Sequence, residues 1–117
     1  MSFAAETEKL VNNLIQAEYE NACEKFGEKY HSLHEGYAVL LEEVEEVEEN
    51  IEHLKEEVYF MWKCIKRNNV KYGFSESLKD SFDIFIQNAI KELAQVGAVL
   101  MKIKNTFGDV EDDRTKR

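Results

Sequence analysis

Carboxylates are the residues of this chain whose type and spacing could do chemistry, and Glu92 is the one in the least comfortable place. At about 100° per residue, Phe85, Ala89, Glu92, Val96, Val99 and Ile103 fall on one helical face, so a charge interrupts an apolar stripe. Burying an unpartnered carboxylate costs several kcal/mol, which requires Glu92 to be neutralised, paired or bound to a cation. Few cationic residues share its face. Upstream, nine of the sixteen residues from Glu42 to Glu57 are glutamate. Against the apolar seam of that segment, Glu42 and Glu49 point away and Glu45, Glu48 and Glu52 take the flank carrying Trp62. Glu43 and Glu46 take the other flank, with Gly36, Val39, Asn50 and Glu57. Most members of such a run belong to a solvated helix face.

Two glutamates at i and i+3 bring their oxygens within reach of one hard cation, and a matching pair on a facing helix completes an oxygen cage. Glu43 and Glu46 form one such pair; Glu92 and Gln95 form the other, with Asn88 on the same side. The expected metal is magnesium, with manganese as the alternative, because no histidine or cysteine accompanies the carboxylates. His53 is expected to face solvent. Lys91 and Lys102 lie on the Gln95 side, and Trp62, Tyr37 and Phe85 are aromatics at helical spacing, which usually serve the core.

These residues must be positioned by helices. The chain has no proline and only five glycines, which reads as all-α. A first helix is expected from Ala4 to Tyr30. Ser32 and Glu35 then fit a capping box that opens a second helix, ending near Arg67 at Asn68-Asn69. Its seam, Leu33, Tyr37, Leu40, Val44, Val47, Ile51, Leu54, Val58, Met61 and Ile65, has the 4,3 spacing that demands a partner helix. A connector follows, with turn chemistry at Tyr72-Gly73 and a short helical turn at Ser75 to Lys79. Ser77 to Asp80 matches a second capping pattern, so a third helix is expected from Asp80 to Thr106. Besides the Glu92 face, Ile86, Ile90, Leu93, Gly97 and Leu100 form a second apolar row, and Gly97 should allow close helix approach. Three helices from one short chain hardly cover these faces, which predicts a homodimer or homotetramer with a shared four-helix-bundle core. Residues 1–108 are expected to be one domain and 109–117 a polar tail.

Composition bounds the function. The net charge of −9 argues against nucleic-acid or anionic-membrane binding and suits a cation-collecting protein. Cys23 and Cys64 have no metal or disulfide spacing and read as free thiols of a cytoplasmic protein. No apolar run approaches the length of a membrane span.

The segments around the carboxylates resemble a known family, the all-α NTP pyrophosphohydrolases of the MazG-like and dimeric dUTPase-like superfamily. Glu42-Glu43-Val44-Glu45-Glu46 matches the first half of the family's EExxE and ExxD pattern. His34 to Val47 looks like the second-helix segment of a phage-type MazG-like branch, and Lys91 to Lys102 like its third-helix partner; the likeness spans Leu33 to Ile103. It implies a nucleoside triphosphate substrate cleaved to the monophosphate and pyrophosphate, with Lys91 and Lys102 as candidates to reach its phosphates and Trp62, Tyr37 and Phe85 as candidates to stack on its base. By position, Glu43, Glu46 and Glu92 would be metal ligands, Glu43 and Glu46 would act in catalysis, and Glu42 would support them. Gln95 replaces the family's aspartate, contributing a carbonyl oxygen without charge. Two other readings stand beside an active enzyme: a degenerate relative that binds without turnover, and a helical oligomerisation or interaction protein.

Overall fold

A computed structural model describes residues 2–68 and 74–108. The fold is all-α, with no strand among the described residues: α1 spans Phe3–Phe26, α2 Leu33–Lys66, α3 Phe74–Asp80 and α4 Gln87–Phe107, with a π-helical segment, Ser81–Ile86, between α3 and α4. No helix among them is long and apolar enough to cross a membrane.

Local chemistry sets the boundaries. The Ser2 hydroxyl caps α1 by accepting from the Ala5 N–H at 3.2 Å. The helix stops four residues short of the expected Tyr30 because Gly27 turns the backbone to φ 89°, with its N–H on the Cys23 carbonyl. At the start of α2, Ser32 Oγ accepts from the Glu35 N–H at 3.1 Å. The returning Glu35 carboxylate accepts from the His31 N–H at 3.3 Å, one residue before the donor that a capping box employs. Asn68 ends α2 with φ 50°, a conformation its short polar side chain tolerates.

The expected cap at Ser77 to Asp80 does not form. Ser77 instead donates its hydroxyl to the Glu57 carboxylate, and Asp80 has helical dihedrals and makes no side-chain cap bond. Helical structure therefore begins at Phe74 and runs without a break to Phe107. Gln87 N–H marks the π segment by reaching the Phe82 carbonyl, five residues back, as well as that of Ile84. The turn residues Asn69, Tyr72 and Gly73 and the tail 109–117 lie outside the described residues.

The described residues divide into two compact units, one of residues 2–43 and 94–108, the other of residues 44–68 and 74–93. In the first unit α1 meets α4 at Gly97, where a Cβ would lie 3.0 Å from two carbons of Ile15; the expected close approach is there. The buried row of this part of α4 is Ala94, Ala98 and Lys102. In the second unit Cys64 and Ala89 are buried, and Ser77 ties α3 to α2 through Glu57. Both cysteines are free thiols. Much of the α2 seam is open in the single chain: Leu33, Tyr37, Val58 and Ile65 are each more than half exposed, with Val58 at 67%. The second α4 row is similar at Ile90, Leu93 and Leu100.

Candidate metal and ligand site

The division of the glutamate run by helical face is visible in burial. Glu42, Glu45, Glu48, Glu49 and Glu52 are exposed, whereas Glu43, Glu46 and Glu57 are half-buried, as are Val39 and Asn50 on the same flank, and Gly36 is buried. Asn50 is fixed by donating its side-chain amide to the Glu46 carbonyl at 3.2 Å. Glu46 and Glu92, both in the second unit, each offer a carboxylate oxygen, and these oxygens lie within 4.8 Å of one another; Glu43 stands one turn before Glu46 on α2. Glu92 is half-buried, on the face where the apolar stripe places it. None of Glu43, Glu46, Glu92 and Gln95 lacks a partner in the fold. Gln95 is half-buried, while the supporting candidates Glu42 and Asn88 are exposed.

The donors are carboxylates throughout, a hard-oxygen set that suits magnesium or manganese and not a thiophilic metal. His53 is half-exposed, 3.6 Å from the Glu56 carboxylate, with its ring stacked on Phe85 at a centroid distance of 5.1 Å.

Within the first unit lies a cavity of about 510 Å³, in the size range of small-molecule sites. Glu43 and Gln95 line it, together with Lys102, Lys25, Tyr30 and Glu35. The two candidate lysines part company here: Lys102 is buried in the lining, and Lys91 is exposed and is not part of it. None of the three aromatic candidates lines the cavity either. Trp62 is exposed beneath the Lys66 ammonium, Tyr37 is exposed, and Phe85 belongs to the His53 stack. The aromatic rings at the cavity are Phe26 and Tyr30.

Tyr30 was expected only as the last residue of the first helix. Its role became visible through tertiary contacts: Gly27 takes it off the helix, and its N–H then donates to Thr106 Oγ1 at 3.1 Å. Burial holds the Tyr30 phenol above its ordinary pKa of 10.0, and the nearby Glu35 and Glu43 carboxylates and Cys23 add to the shift. The phenol is therefore a neutral group at neutral pH. A comparison with protein-family models, curated proteins and solved structures finds no match for this chain.

Proposed function

We propose that this chain is a magnesium-dependent nucleoside triphosphate pyrophosphohydrolase of the MazG-like kind, acting as a cytoplasmic homo-oligomer. The observation that supports the reading is the approach of the Glu46 and Glu92 carboxylates to within 4.8 Å, with Glu43 one turn before Glu46, on two helical segments that resemble the family's paired motifs. Glu43, Glu46 and Glu92 would hold the cation with the Gln95 carbonyl beside them; a magnesium ion bound there would neutralise phosphate charge and acidify a water. Glu43 or Glu46 would orient the attacking water and accept its proton, so that one phosphoric anhydride bond opens to leave the monophosphate and pyrophosphate. Self-association would cover the open apolar residues of α2 and α4.

The same open seam favours a second reading, a helical oligomerisation or interaction protein without turnover, either unrelated to such enzymes or a lapsed member. Pyrophosphate release from a panel of ribo- and deoxyribonucleoside triphosphates, with magnesium or manganese, separates the two. The enzyme reading expects release from at least one substrate and its loss in Glu46→Gln. Inactivity across the panel would refute it, and turnover gained only by Gln95→Asp would mark a lapsed enzyme.

A further inference from the structure

Lys102 is a charged residue in a place where lysine is seldom left: it is only 5% exposed. Its ammonium lies over the Tyr30 ring, 4.3 Å from the centroid, a contact that holds a cation without neutralising it. The ring is fixed for this purpose by several groups of the first unit. Tyr30 N–H donates to Thr106 Oγ1, and that hydroxyl donates at 2.7 Å to the Lys102 carbonyl, so one threonine ties the tyrosine to the helical turn bearing the lysine. Gly36 leaves room for the arrangement, since a Cβ there would lie 3.4 Å from Tyr30 Cδ2 and 3.1 Å from Ile103 Cγ1.

Lys102 and Tyr30 both line the 510 Å³ cavity, which has Lys25 as a second cation and Glu18, Glu35 and Glu43 as carboxylates. A lining of both signs suits a ligand with an anionic end and hydrogen-bond donors elsewhere; a simple anion would meet the carboxylates as well as the lysines. A nucleotide has that make-up, with phosphate at one end and sugar hydroxyls and base amino groups at the other. We propose that this cavity binds the phosphate of a nucleotide through the Lys102 ammonium, independently of any metal, with Tyr30 as the positioning residue. That the ligand is a nucleotide rests on the pyrophosphohydrolase reading; the phosphate site rests on Lys102, Tyr30 and the cavity. Lysine binds phosphate as a point charge, so arginine should substitute in part and methionine should not.

The test is calorimetric titration of the full chain, in EDTA, with AMP, CMP, GMP and UMP and with the corresponding nucleosides. At least one monophosphate should bind, about tenfold or more tighter than its nucleoside. Lys102→Met should lose that advantage and Lys102→Arg should retain much of it. Tyr30→Phe, which keeps the ring beneath the ammonium, should retain most of the monophosphate advantage, whereas Tyr30→Leu should weaken monophosphate binding more than nucleoside binding. The comparison of monophosphate with nucleoside on the parent needs no variant, so it holds even if a substitution impairs folding. Equal affinity for the two, no binding of any monophosphate, or a folded Lys102→Met that binds like the parent would overturn the proposal. Lys102-dependent binding without any pyrophosphate release would leave the phosphate site standing and refute the enzyme. Pyrophosphate release with Lys102-independent binding would do the reverse.

Discussion

Replacing Gly97 by alanine sets a methyl group against Ile15 at the crossing of α1 and α4. The new Cβ would lie 3.0 Å from both Cγ1 and Cγ2 of Ile15 and 3.1 Å from Cδ1. Carbon atoms pack best at about 3.5–4.0 Å, so the helices must separate by roughly half an ångström or Ile15 must move. Rotation about χ1 offers little relief, because two branches of the same side chain are in contact. Overpacking of this kind costs about 1–3 kcal/mol, and alanine returns about 0.8–1.0 kcal/mol over glycine in a helix. The net loss should be about 1 kcal/mol, or roughly 3–6 °C in Tm for a chain of this size. Removing the obstructing atoms should reverse the sign: in an Ile15→Ala background, Gly97→Ala should be neutral or stabilising by up to about 1 kcal/mol. Urea unfolding of the four proteins measures the coupling directly. Gly97→Ala that stabilises the parent, with no coupling to Ile15→Ala, would refute the close approach.

Two further perturbations test other parts of the fold. Ser32→Ala removes the acceptor for the Glu35 N–H and should lower stability by about 1 kcal/mol in urea melts, with Ser32→Gly costing less; unchanged stability would show that the cap contributes nothing. For Tyr30, the folded-state pKa lies above the unfolded value, so the neutral phenol stabilises the fold fully below about pH 10 and that contribution is lost as pH climbs from there through the raised folded pKa. Tyr30→Phe should therefore lose less stability than the parent between about pH 9 and 11, and parallel pH profiles would contradict the assignment.

Particular residues show what was legible in the sequence. The serine cap of α2 follows from a local capping pattern, and the inward flank carrying Glu43 and Glu46 from helical periodicity, which survives folding as angular position. Glu92 stood out because a charge within an apolar row is a local contradiction. The row Ala94, Ala98 and Lys102 was passed over because two small side chains and a lysine carry little hydrophobic signal, although small residues let helices come closest. Lys102 is buried by its place over the Tyr30 ring, and that pairing joins residues far apart in the chain. The failed cap at Ser77 has the same origin: its hydroxyl was drawn to Glu57, twenty residues earlier, which no local pattern encodes.

The claim that Glu43, Glu46 and Glu92 together hold a divalent cation is tested most directly by thermal unfolding of the parent and of Glu92→Ala, each in EDTA and in magnesium. A cation bound to the folded state alone stabilises it by about 2.7 kcal/mol at a hundred times its Kd. The account predicts that magnesium raises the melting temperature of the parent and leaves Glu92→Ala unmoved. A parent indifferent to magnesium, with Glu92→Ala as stable or more stable in both conditions, would contradict it.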